Sequence, residues 1–170
     1  FDKAISLDPE SAHKYYNFRG VELNKLEDYE GALRDYNKAI ELTPDNALYY
    51  SDRGLARRRS GDFVGAIEDY TKSIELSSKP SSNQYDLLGT AYAYLGNSYQ
   101  QDGKTTEALE YFTKAIKDYN RALEIDADNI SAYRSRANTL EDYERALRDY
   151  NKTIELTPDN ALYYSNRGLA

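Results

Sequence analysis

The sequence predicts an all-α chain of stacked antiparallel helix pairs, and three observations carry that reading. First, Glu27 to Ala56 returns almost unchanged at Glu141 to Ala170, differing only at Gly31/Arg145, Ala39/Thr153 and Asp52/Asn166. Second, small and aromatic residues recur 34 positions apart, with Tyr16, Gly20, Ala32 and Tyr36 followed by Tyr50, Gly54, Ala66 and Tyr70. Third, the spacing inside each stretch is that of two amphipathic helices joined by a tight turn. A unit of this kind cannot bury its apolar face alone, so neighbouring units must stack on one another.

The elements follow in order. A first helix near 1–8 ends at Pro9, because proline cannot continue a helix. Helices near 13–26 and 28–43 form a pair in which Gly20 and Ala32 permit close approach, and Pro44 stops the second. Helices near 47–60 and 62–77 repeat the arrangement around the turn Ser60-Gly61-Asp62. The stretch 77–82, SSKPSS, is turn-forming and too short to divide domains.

The third pair, 82–102 and 105–125, is expected to be longer, since YFTKAI is followed seven residues later by DYNRAL. A seven-residue insertion keeps the apolar face and lengthens a helix by roughly 10 Å. Tyr85 and Leu88 should then meet Tyr119 and Leu123 at the open end of the hairpin. In the fourth pair, 129–140 and 142–157, Ala137 and Ala146 are nine apart where Gly20 and Ala32 are twelve apart. Its first helix is therefore short by almost a turn, or residues are missing from the sequence. A last helix over 160–170 follows Pro158. The whole chain, 1–170, reads as one domain with units near 13–46, 47–81, 82–128 and 129–159 and half-units at 1–12 and 160–170. It also reads as a fragment. Phe1, Ala4, Ile5 and Leu7 at one end and Leu162, Tyr163, Tyr164 and Leu169 at the other would complement one another in a head-to-tail homo-oligomer.

Little in the chain suggests chemistry. Cysteine is absent and His13 is the only histidine, so thiolate catalysis, a Cys-based zinc site and a paired-His metal site lack material. His13 is expected on the surface at a helix start. Acid pairs such as Glu27/Asp28 and Glu68/Asp69 recur as a solvated helix face would, and the glycines form no phosphate-binding loop. No catalytic, cofactor or metal site is expected, and the chain is not read as an enzyme. The 18 tyrosines are read as core packing. A net charge of −7 argues against nucleic acid as a partner. No apolar run approaches the roughly 18 residues of a membrane span, so a soluble chain without membrane insertion is expected, with the cytoplasm favoured.

The pattern of Tyr16, Gly20, Ala32, Tyr36 and Pro44 and its later copies resembles the tetratricopeptide repeat, over essentially the whole chain. Tyr16, Tyr50, Tyr92 and Tyr133 stand for the family's Trp, and Arg19, Arg53 and Arg136 for its Leu. The resemblance implies a right-handed superhelical solenoid that binds a peptide of a partner protein, with first helices lining a concave groove and second helices facing outward. The first helices carry nine Lys/Arg against four Asp/Glu and the second helices ten against sixteen, which implies a basic groove inside an acidic shell.

By family position the groove residues are Lys14, Asn17, Lys25, Arg58, Arg59, Asn97, Gln101, Arg134, Asn138 and Asn166, with Ser51 and Gln100 beside them. Arg134, Asn138 and Asn166 also resemble the first three positions of the clamp with which some family members hold acidic chaperone tails, with Arg in place of Lys. The expected function is a protein-interaction scaffold for an acidic peptide. The alternatives are a self-assembling solenoid and the interaction part of a larger enzyme.

Overall fold

The computed structural model describes residues 1–139, 143–161 and 164. Among these, nine helices fall into two compact units, Phe1–Pro80 and Ser81–Ala170. The first unit holds α1 (Asp2–Leu7), α2 (Ala12–Lys25), α3 (Tyr29–Leu42), α4 (Ala47–Arg59) and α5 (Phe63–Leu76). Helices α2 with α3 and α4 with α5 form hairpins, α3 packs on α4, and α1 packs on α2. The second unit holds α6 (Ser82–Gln101), α7 (Thr105–Ile125), α8 (Ile130–Thr139) and α9 (Tyr143–Leu156). Here α6 pairs with α7 and α8 with α9, while α7 and α6 both contact α8.

The hairpin turns are built alike. Asp28 and Asp62 cap α3 and α5 by accepting from the Gly31 and Gly65 amides at 2.9 Å, a cap worth about 1 kcal/mol each. One residue before each cap the chain enters the left-handed region, at Glu27 (φ 63°) and Gly61 (φ 90°), and Gly103 (φ 76°) does the same between α6 and α7. Glycine takes this conformation freely, whereas a residue with a Cβ is strained there. Helix α6 starts with a reciprocal capping box between Ser81 and Gln84.

Inside each of the first two hairpins an aromatic ring packs against a glycine of the facing helix. A Cβ on Gly20 would fall 2.8 Å from the Tyr36 ring, and one on Gly54 would fall 2.9 Å from the Tyr70 ring. Tyr36 and Tyr70 are buried beside Ala32, Ala56 and Ala66, which lets adjacent helices close on one another.

The third hairpin makes this contact twice: Gly89 faces Tyr119, and Gly96 faces Phe112. Seven residues separate the two glycines and seven separate the two rings, so one heptad has been added to each helix of the hairpin. The resulting helices are 20 and 21 residues long. Of the side chains expected at its open end, Leu88 and Tyr119 are buried, whereas Tyr85 and Leu123 are half-buried. In the fourth hairpin α8 is described over Ile130–Thr139, and its junction with α9, where the missing turn was expected, lies outside the described residues. The helix expected over 160–170 lies almost wholly outside the described residues.

Candidate functional site

Within the first unit the first helices α2 and α4 are held side by side by polar cross-links. His13 of α2 shares a 2.6 Å hydrogen bond with the Tyr49 hydroxyl of α4. One turn on, the Asn17 amide donates to Asp52 at 3.1 Å, and two turns further Arg59 donates to the Asn24 carbonyl at 3.5 Å. His13 is therefore a half-buried inter-helix contact and not the exposed residue expected at a helix start. Burial raises the Asp52 carboxyl, opposed by its bond from Asn17. The side-chain oxygens Asn17 Oδ1 and Asn24 Oδ1, on the same face of α2, are buried and accept from no donor among the described residues.

Along this α2–α4 face the predicted groove residues fall into distinct settings. Lys14, Lys25 and Arg59 are exposed, and Lys25 pairs with Glu22 at 2.7 Å. Arg58 is half-buried beside Tyr70, whose hydroxyl burial raises while the Arg58 charge pulls it down. Asn17 is buried, with its amide engaged on Asp52.

In the second unit Asn97 and Gln101 are exposed on α6, and Arg134 is half-buried on α8. Asn138 is exposed and accepts from the Tyr150 hydroxyl. Tyr92, Tyr99 and Tyr111 cluster near the α6–α7 turn, with the Lys114 ammonium 5.0 Å from the Tyr111 ring centre. Asn166 lies outside the described residues, and with it the third position of the expected clamp.

The remaining first-helix cations do something that the sequence reading missed. Arg19 grips Asp35 of α3 through Nε and Nη2 at 2.7 and 2.6 Å, and Arg53 grips Asp69 of α5 in the same way at 2.9 and 2.6 Å. Arg136 grips Asp149 of α9 with both bonds at 2.7 Å. Each guanidinium also reaches the preceding second helix, donating to Asp2, Asn37 and Asn120 respectively. Each lies over the tyrosine one turn before it, 5.5 Å from the centres of Tyr16 and Tyr50 and 5.6 Å from that of Tyr133.

A planar guanidinium supplies both the bidentate fork and the stacking face, which is why arginine and not lysine holds these places. Asp35, Asp69 and Asp149 are all buried, so these pairs join helices within and between hairpins. Arg57 adds a further 3.0 Å contact to Asp69. The signal was available as an Arg followed sixteen residues later by Asp, at 19/35 and again at 53/69. Even in the fourth hairpin, where the spacing shrinks to 13, the pair is kept.

Among the described residues no group of three or more His, Cys, Asp or Glu side chains could hold a metal ion, and no helix is long and apolar enough to cross a membrane. At the chain ends, Phe1, Leu7 of α1 and Tyr164 are exposed; Leu162, Tyr163 and Leu169 lie outside the described residues.

Comparison with known proteins returns helical repeats throughout. A family model described as TPR repeat matches residues 20–61, 108–142 and 139–170, and one described as tetratricopeptide repeat matches 44–121. The crystal structure of MamA protein is 23% identical, with a TM-score of 0.72 over 94% of this chain and 80% of that one. The first TPR of Spaghetti (RPAP3), bound to the HSP90 peptide SRMEEVD, is 23% identical with a TM-score of 0.59, over 73% of this chain and 89% of that one. The second TPR domain of human RPAP3, in complex with the HSP70 peptide SGPTIEEVD, is 21% identical with a TM-score of 0.59 over 72% and 92%. At these identities the likeness is one of fold.

Proposed function

We propose that this chain, which belongs to the tetratricopeptide repeat family, is a protein-interaction scaffold whose first-helix faces bind a peptide segment of a partner, with acidic segments preferred. The observation that carries the reading is the division of the first-helix cations. Arg19, Arg53, Arg57 and Arg136 are committed to buried aspartates of the second helices, whereas Lys14, Lys25 and Arg59 face solvent on the α2–α4 face.

Steering falls to Lys14, Lys25, Arg58 and Arg59 in the first unit and to Arg134 in the second, with Asn97, Gln101, Asn138 and Asn166 offering amide contacts to a peptide. Asn17 acts by holding Asp52 in place. Two structural neighbours carry acidic-tailed peptides, SRMEEVD and SGPTIEEVD, and this supports the preference.

Fluorescence anisotropy with an acidic peptide tests the reading. The double variant Lys14→Glu/Arg59→Glu should weaken binding by about tenfold or more, equivalent to about 1.4 kcal/mol or more. Both residues are exposed, so the fold should survive. Unchanged affinity in that variant would contradict the proposal. A second reading, head-to-tail docking between copies, is favoured by the exposure of Phe1, just before α1, and of Leu7 at its end. It requires sedimentation to become concentration-dependent, and a chain that stays monomeric refutes it.

A further inference from the structure

Three hairpins contain the same arrangement: a first-helix arginine, the tyrosine one turn before it, and a buried aspartate preceding the aromatic ring of the second helix. The third hairpin repeats it with one member changed. Its open-end ring contact, Gly89 on Tyr119, corresponds to Gly20 on Tyr36 and Gly54 on Tyr70. Asp118 therefore stands where Asp35 and Asp69 stand, and Tyr85 where Tyr16 and Tyr50 stand. Leu88 occupies the arginine's place, is buried, and offers no donor.

Tyr85 and Asp118 line one cavity of about 700 Å³, with Thr113, Lys117, Arg121 and Glu124 around them. Burial pushes the Asp118 carboxyl up to about 6, against the pull of Lys117. Among the described residues no side chain donates a hydrogen bond to it. The nearest guanidinium on its own helix, Arg121, is held by Glu124 at 2.8 Å and by the Tyr85 hydroxyl. Asp86 of α6 is buried nearby and acts on Tyr119. Lys117 and Arg121 balance Asp118 and Glu124, so the rim carries no net charge to repel a cation.

We propose that this cavity receives an arginine side chain of a partner protein, its guanidinium bonded to Asp118 and stacked on Tyr85. A ligand from outside then completes the arrangement that Arg19, Arg53 and Arg136 complete from within. Arginine fits better than lysine because the place calls for a bidentate fork and a planar face together. The cavity is built largely on a second helix, so this proposal and the first-helix groove can each fail without the other.

The test is NMR of protein carrying ¹³C-carboxyl aspartate and labelled tyrosine, titrated with N-acetyl-arginine amide. The Asp118 carboxyl and the Tyr85 ring should shift saturably, with about tenfold weaker binding of N-acetyl-lysine amide and none of the citrulline analogue. Asp118→Asn should abolish the response. Leu88→Arg should abolish it too, by supplying the guanidinium internally. An equal response to lysine or citrulline, or a response that survives Asp118→Asn, overturns the proposal. So does tighter binding of free arginine than of the blocked amide, which would mark a metabolite site. An Asp118 resonance that responds to Arg121→Gln and not to the probe also overturns it, because the helix's own arginine would then fill the place.

Discussion

Removing Arg19 should destabilise the chain more than removing Arg53, and the reason lies in what each aspartate keeps. Asp35 has 7% of its side chain exposed, and among the described residues both of its side-chain hydrogen bonds come from Arg19. Arg19→Met leaves that carboxylate buried without a partner, a loss that typically costs about 3–5 kcal/mol. Asp69 is more deeply buried, at 3%, but Arg57 remains 3.0 Å away after Arg53→Met. The residual partner should hold the cost of Arg53→Met to about 1–2 kcal/mol. Replacing both members of the first pair, as Arg19→Met/Asp35→Leu, should return stability to within about 1 kcal/mol of the parent, since no charge is left to desolvate.

Urea unfolding followed by circular dichroism measures all three variants, with amide exchange in α2 and α3 showing whether the loss is local to the first hairpin. The reasoning is refuted if Arg19→Met unfolds within about 0.5 kcal/mol of the parent, or if Arg53→Met costs as much as Arg19→Met.

Two further perturbations follow from the same structure. Glu27→Gly relieves a left-handed residue at φ 63° and should raise stability by about 0.5–1 kcal/mol in urea unfolding, the strain relieved being partly offset by glycine's extra unfolded-state entropy; a loss of stability would show that the turn is unstrained. Asp118 is raised from 3.8 to about 6, so between those values the folded state binds more protons than the unfolded state and stability falls as pH rises. After solvent screening is allowed for, Asp118→Asn should be more stable than the parent by about 1–2 kcal/mol above pH 6.5. The difference should vanish below about pH 4, and a pH-independent difference would refute the assignment.

Much of the fold was legible because it is written as periodicity. The helix limits expected from Pro9, Pro44 and the Gly61 turn agree with α1 to α5 to within a residue at each end. The heptad phrase YFTKAI/DYNRAL correctly announced a long third hairpin. The Arg–Asp pairs escaped because each arginine stands where the resembled family keeps a leucine, so they read as loose substitutions within an apolar pattern. Their partners lie on another helix, and a pattern sought within single helices does not join them.

The same pairs revise the electrostatic reading. A first-helix excess counted from the sequence treats Arg19, Arg53, Arg57 and Arg136 as groove charges, yet their charge is neutralised on buried carboxylates. Asp52 adds an acid to the middle of the α2–α4 face, where the near-copy has Asn166. Any preference for acidic peptides therefore rests on fewer cations than the composition suggests.

The most direct measurement of peptide recognition is a titration of the wild-type chain with an acidic peptide and with a matched peptide whose Asp and Glu are replaced by Asn and Gln. Each is followed by calorimetry across a salt series. Exposed Lys14, Lys25 and Arg59 act over a Debye length of about 8 Å at physiological salt. One saturable site should appear for the acidic peptide, with affinity falling as salt rises, and the neutral peptide should bind about tenfold more weakly with a flat salt response. Equal binding of both peptides, or an affinity indifferent to salt, would contradict a basic peptide-binding face.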